Sequence, residues 1–266
     1  MWTAYILILA VMLALGTATW VLSVYLKDVS IVDSLWSIMF LAGGIMVVAV
    51  APEVSSKAWL LLGLLALWSL RLSIFLTIRN WGEEEDRRYQ DIRKNNSPNF
   101  AFKSLFIIFG LQALIAWAVF TGLLPGLYLA PEFTMLDWVA IALWFTGMFF
   151  EVEADFQLYR FKQNPANKGR VLDTGLWRYS RHPNYFGEFL IWWGFFLMSV
   201  TTGAWWAVVA PVIMTILLLK VSGVGLMEKG ISNRRPEYQS YIDRTNAFLP
   251  WAPKKQGASD MEAMKS

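Results

Sequence analysis

Apolar blocks of about twenty residues follow one another along this chain, separated by short polar breaks. A helix rises about 1.5 Å per residue, so a block of that length crosses the roughly 30 Å hydrocarbon core of a bilayer. Backbone groups inside lipid must be paired within the segment or across a closed barrel. The blocks are continuously apolar rather than alternating, which selects helices. Seven such spans are read at 4–26, 30–51, 57–78, 104–124, 135–156, 185–203 and 204–227. The last two are almost continuous, with a turn expected at Thr201-Thr202-Gly203. Composition supports the reading: 56% of the 266 residues are hydrophobic and only 16% are charged, against about a quarter charged in soluble domains. The fold class is therefore all-α, a polytopic integral membrane protein. A single transmembrane domain is expected over 1–253, with a polar, disordered tail over 254–266.

Lysine and arginine concentrate in segments 79–103, 157–184 and 228–266, and are absent from 52–56 and 125–134. The positive-inside rule then puts the N-terminus outside and the C-terminus in the cytoplasm. Seven spans satisfy this alternation. All the long polar segments fall on one side, where they could hold a polar cytosolic ligand together.

Cysteine is absent and His182 is the sole histidine. That excludes a disulfide framework, a thiolate nucleophile and a cysteine–zinc site, and the single histidine argues against a transition-metal site built by the protein alone. The first span lacks a basic leader and a small-residue cleavage site, so it is read as a retained helix.

Ionisable residues at membrane depth are expensive and are usually kept for function. Asp33 lies early in span two. Its spacing from Ser30 fits a capping box with aspartate in place of glutamate, and a buried polar site is the equal alternative. Arg71 lies inside span three, with Trp68 one turn earlier on the same face. Glu151 and Asp155 share a face at the end of span five, followed by Arg160 and Lys162. The acidic and basic run at 83–94 reads as a solvated, self-paired helix face. Tyr238 and Tyr241 are three apart on an expected short amphipathic helix.

The densest polar stretch is GLWRYSRHPNYFGE, residues 175–188. Pro165 should stop the preceding helix, and Gly169 and Gly175 permit turns. Lys162, Lys168, Arg170, Arg178 and Arg181 are cations suited to a phosphate-bearing ligand. Asn184, after Pro183, is a candidate cap for the sixth span. Topology alone accounts for the cations, but not for His182, Asn184 and Glu188 arriving together.

That stretch, with ADFQLYRFKQNPANKGR before it and EYQSYIDRTNAFLPW after it, resembles the steroid 5-alpha-reductase family, and most closely its bacterial membrane members. The resemblance covers most of residues 30–250. A related RHPxYxG pattern occurs in sterol reductases and in isoprenylcysteine methyltransferases. The resemblance implies a seven-helix fold holding NADPH at its cytosolic end. It implies that Asp155 anchors the cofactor, and that Lys162 and Arg170 lie near the adenosine phosphates. Tyr179, Asn184 and Glu188 match a cofactor-contacting stretch that also brings in Arg181 and His182. Arg79 and Asn80 match a polar pair ending the third helix. Arg235, Tyr238 and Tyr241 fall in a C-terminal covering segment. The catalytic counterparts are Asp33 and Trp68, where the eukaryotic enzymes carry glutamate and tyrosine. Glu228 is the nearest polar counterpart of the histidines that follow the seventh helix in those enzymes.

The expected activity is NADPH-dependent reduction of a carbon–carbon double bond conjugated to a ketone, in a lipophilic substrate such as a 3-oxo-Δ4 steroid. The substrate would enter from the bilayer. A donor at the developing enolate oxygen would supply catalysis, and a protonated Asp33 could provide it. The rival is an S-adenosylmethionine-dependent methyltransferase acting on a lipid or prenylated substrate. Its cofactor lacks phosphates and has less need of the cations. A third reading is a structural or ion-conducting membrane protein. Membrane lipids are the other expected partner; neither nucleic acid nor an obligatory protein partner is implied. The expected location is the bacterial inner membrane.

Overall fold

The computed structural model describes residues 1–129, 132–221 and 237–254. The longer helices are α1 (Trp2–Leu26), α2 (Ile31–Val50), α3 (Ser56–Asn80), α4 (Arg87–Asn95), α5 (Phe100–Phe120), α6 (Leu124–Tyr128), α7 (Met135–Gln163), α8 (Pro183–Val200), α9 (Trp205–Lys220) and α10 (Glu237–Arg244). The chain forms two compact units. One comprises Met1–Trp138 and Phe195–Ala210; the other comprises Val139–Gly194 and the chain from Pro211 onward.

Among the described residues, α1, α2, α3, α5 and α7 are long and apolar enough to cross a membrane. The other two expected spans differ. α8 has 18 residues, and Asn184 and Glu188 dilute its apolar character. α9 is a shorter apolar helix, and the rest of the seventh predicted span lies outside the described residues. The fourth span begins at Phe100, earlier than expected, and contains a π turn over Leu105–Gly110. The segment expected as a plain loop after it forms α6, whose Leu124 and Leu127 are buried. α7 continues to Gln163, past the expected end at 156. Thr201–Gly203 does form the turn between the last two helices, with Gly203 at φ 84°.

In the first unit, α2 and α3 are locked side to side. The Ser37 hydroxyl donates to the Ser69 carbonyl at 2.9 Å, and the Ser69 hydroxyl donates back to the Ser37 carbonyl. In lipid such bonds, each worth about 1 kcal/mol, hold helices that gain nothing from apolar burial against one another. Phe40 sits edge-on to Trp36 and to the buried Trp68.

A fully buried ion pair closes the opposite end of α3. Lys57 Nζ lies 2.6 Å from Asp137 Oδ1, and both side chains are 0% exposed. Lys57 also donates to the Thr201 hydroxyl. Asp137 accepts from the Thr134 N–H at 2.7 Å and the Thr134 hydroxyl at 2.9 Å. Asp137 thus satisfies the Thr134 N–H at the start of α7, the acid half of a capping box, while neutralising the lysine.

Candidate functional site

In the second unit, α7 and α8 approach backbone to backbone. A Cβ at Gly187 would lie 2.5 Å from both the Glu151 nitrogen and the Gly147 carbonyl oxygen; one at Gly147 would lie 2.6 Å from the Gly187 oxygen. Only glycine fits such a crossing. It brings the polar residues ending α7 beside those opening α8. The Asn184 amide donates to Asp155 Oδ1 at 3.1 Å. Asn184 therefore turns its amide N–H toward α7 from within the first turn of α8, while its Oδ1 accepts the Tyr185 N–H of that turn at 3.0 Å. Glu151, Asp155 and Glu188 are all buried, and the Trp192 indole N–H donates to Glu188 at 2.8 Å. His182 is buried and its ring stacks on Tyr185 at 5.4 Å.

Beyond Asp155 the helix runs into a cation-rich loop. Gln163 ends α7, Pro165 opens a 3-10 turn, and Gly169 and Gly175 take positive φ, as expected. Here a cavity of about 320 Å³ is lined by Lys162, Asn164, Asn167, Lys168 and Arg170, with Leu158 and Phe161 as its apolar floor. The three cations are exposed. The Leu176 N–H bonds to Gln157 at 3.0 Å, and the Trp177 indole donates to the Ala154 carbonyl at 3.1 Å, fixing the loop against α7.

Arg181 does not line this cavity. It is buried and donates to the carbonyls of Ile242 and Thr245. Tyr179 is exposed. Tyr238 and Tyr241 stand on α10 as expected, ring edge to ring face at 5.6 Å. The Tyr241 hydroxyl donates to the Trp177 carbonyl. Burial pushes the Tyr241 phenol above its ordinary range, and the nearby Tyr238 adds to the effect. Arg235, Glu228 and the tail from 255 lie outside the described residues.

The first unit holds the remaining candidates. Asp33 makes no capping box. Ser30 instead bonds to Asp28 through its N–H at 2.8 Å and through its hydroxyl. Asp33 accepts from the Tyr89 hydroxyl at 2.5 Å and from Arg88 Nη2 at 2.9 Å. Arg88 also donates to Asp86, which caps α4 by accepting from the Arg88 N–H at 2.9 Å. Burial pushes the Tyr89 phenol up, and the Asp33 carboxylate pushes it further. Trp68 lies deeper on α3, in the aromatic contact with Phe40. Arg71 is half-buried and lies 5.3 Å from the Phe75 ring. Arg79 and Asn80 bond to each other at 3.1 Å at the end of α3.

The family described as protein of unknown function DUF1295 matches residues 19–245. The chain belongs to this family. A relative, an uncharacterized protein of Schizosaccharomyces pombe, is 28% identical over 274 residues, covering 89% of this chain and 76% of the relative. No solved structure matches the chain.

The DUF1295 match contains every candidate named above, from Asp33 to Tyr241. It also contains the charged run at 83–94, whose pattern predicts a solvated face. α4 is docked rather than free. Tyr89 is buried with Val29, Val32, Phe100, Ile108 and Phe109, and Trp20 and Ile92 pack against them. Glu85 accepts from the Val29 N–H at 2.9 Å and from Arg93 at 2.7 and 2.9 Å. Burial works against the Glu85 charge, but the bonds from Arg93 and Val29 outweigh it and hold the carboxyl below its usual range. The available signal was Tyr89 and Ile92, three apart, an apolar face inside a charged run.

Proposed function

We propose that this protein is an NADPH-dependent reductase of a carbon–carbon double bond conjugated to a ketone in a lipophilic substrate. A 3-oxo-Δ4 steroid is the compound class to test first. In this reading the chain is a seven-span protein with its N-terminus outside and its basic segments, including the 162–181 loop, in the cytoplasm. The carrying observation is that one helix, α7, bears both Asp155, which accepts from Asn184, and Leu158, Phe161 and Lys162, which line the cation-rich cavity further along it. The donor set fits the group: three cations and two asparagines suit phosphate oxygens, while a buried carboxylate and amide suit hydroxyls or a carboxamide. The steroid 5-alpha-reductase resemblance of residues 151–250 supports the same reading.

When bound, NADPH supplies the hydride that adds to the β-carbon of the enone. The chain's part is to hold the cofactor, to keep water from the reaction and to donate to the oxygen that gains charge. Asp33 was the sequence's candidate for that donor. Its contacts favour Tyr89 as the donating group: the single phenolic proton, held by Asp33 in this structure, would turn from that carboxylate to the substrate oxygen, with Arg88 remaining as the counter-ion of Asp33. With its pKa raised, Tyr89 keeps its proton throughout the neutral range, as a hydrogen-bond donor to an enolate requires. Trp68 is given no donor role in this scheme.

Calorimetry on the full chain in lipid nanodiscs, with NADPH, NADH and S-adenosylmethionine in turn, tests the reading. The expected result is binding of NADPH in preference to NADH, with oxidation of NADPH when a 3-oxo-Δ4 steroid is added. Heat from S-adenosylmethionine alone would replace this reading with the methyltransferase one. Absence of NADPH binding would sink it.

A further inference from the structure

Arg181, the arginine of the RHPNY sequence, has surroundings unlike those of the other cations of its loop. Lys162, Lys168 and Arg170 are exposed around the cavity. Arg181 is 8% exposed. Its Nη1 donates to the Ile242 carbonyl at 3.1 Å and to the Thr245 carbonyl, and its own N–H donates to the Asn246 carbonyl at 2.9 Å. These acceptors are at or just past the last turn of α10. A helix end leaves its carbonyls without partners and gathers partial negative charge, which a cation satisfies on both counts.

The neighbouring bonds run between the same two segments. The Ser180 hydroxyl donates to the Phe248 carbonyl at 2.8 Å, and the Trp251 N–H donates to the Tyr179 carbonyl at 3.0 Å. The Tyr241 hydroxyl reaches the Trp177 and Ser180 carbonyls. Arg244 pairs with Asp173. The Phe248 ring lies edge-on to Phe186 at 6.0 Å and to Phe189 at 5.6 Å.

We propose that Arg181 is a positioning residue: a buried cation that caps α10 and clasps segment 241–251 onto residues 177–181, and that it is not a phosphate ligand. To reach a phosphate it would have to release two carbonyls and leave them buried and unpaired, at about 1–3 kcal/mol each. Lysine replaces it only in part, because a point charge lacks the planar fork that serves two acceptors. Arg181 then affects cofactor affinity through the segment bearing Tyr238 and Tyr241. That last clause rests on the NADPH reading; the clasp itself does not.

Amide hydrogen exchange on the full chain in nanodiscs, without cofactor, tests the clasp. Arg181→Ala should speed exchange across 237–251 by about tenfold, the equivalent of one lost net interaction of about 1.4 kcal/mol. Arg181→Lys should recover part of the protection. Tyr241→Phe should speed exchange less, and Lys168→Ala should leave it unchanged. NADPH titrations at two salt concentrations form a second arm. Arg181→Ala should weaken binding while keeping the parent's salt dependence, whereas Lys168→Ala should flatten it. Unchanged exchange in both Arg181→Lys and Tyr241→Phe overturns the clasp even where Arg181→Ala fails to fold. A flattened salt dependence in Arg181→Ala overturns it too. If the parent binds no NADPH, the cofactor reading fails and the exchange arm still decides the clasp.

Discussion

Two carboxylate–cation pairs in the first unit use the same chemistry in opposite ways. Lys57 and Asp137 are 0% exposed and bond to each other, to Thr201 and to Thr134. Asp33 and Arg88 are 18% and 41% exposed, and Asp33 also takes a phenol proton bond from Tyr89. A pair sealed from solvent and matched to its own partners is placed to hold structure. A pair still partly wet, with a neutral donor beside it, can exchange partners with a ligand. Burial, rather than charge, distinguishes the structural carboxylate from the candidate catalytic one.

The largest expected effect is on the sealed pair. Lys57→Met or Asp137→Leu alone leaves one buried charge without its counter-ion, and should destabilise the protein by about 3–5 kcal/mol. The double variant Lys57→Met with Asp137→Leu should recover most of that loss. Thermal unfolding in detergent reads both. Failure of the double variant to recover would show that the charges do more than offset each other. Next comes Asp33→Asn, expected to lower NADPH oxidation about hundredfold, or roughly 2.7 kcal/mol of transition-state stabilisation. Its unfolding midpoint should move little, because exposed pairs contribute about 1 kcal/mol or less. A large midpoint shift with rate unchanged would make the two pairs alike.

The smallest effects are pH-dependent. Glu85 and Asp86 have lowered folded pKa values, Asp86 through bonds from the Arg88 side chain and N–H that outweigh its burial. Their stabilisation is present above the ordinary carboxylate range, near pH 4, and is lost as pH falls through the depressed values. Tyr89 has the opposite sign. Its stabilisation is present below about pH 10 and is lost as pH rises beyond it. Unfolding midpoints from pH 3 to 11 should fall at both ends, and Tyr89→Phe should remove part of the alkaline fall.

Long apolar runs were legible in the sequence because length and hydropathy are local properties. α1, α2, α3, α5 and α7 were all anticipated, as were the turn at Gly203 and the short helix bearing Tyr238 and Tyr241. The loop cations were also visible as a group. Their division was not: Lys168 beside a cavity and Arg181 under a helix end carry the same charge in the sequence. Only the return of segment 241–251 separates them. Asp33 was noticed for its depth, but its partners Arg88 and Tyr89 looked like part of a solvated run. Their docking depends on contacts with Val29 and Val32, which are distant in sequence. Lys57 opens the third predicted span, and nothing local to it signals its pairing with Asp137 and Thr201, which are distant in sequence.

The sealed lysine also bears on biosynthesis. Lys57 stands at the head of α3, while Asp137 and Thr201 belong to stretches made much later. During translation α3 reaches the bilayer before any partner for its lysine exists. The ammonium must then wait at the lipid–water boundary, where its long stem lets the charge stay wet. Only when the head of α7 and the turn at 201 have been inserted can it be drawn inside. Burial of this one ammonium therefore requires both later stretches, the head of α7 and the turn at 201, to be in place.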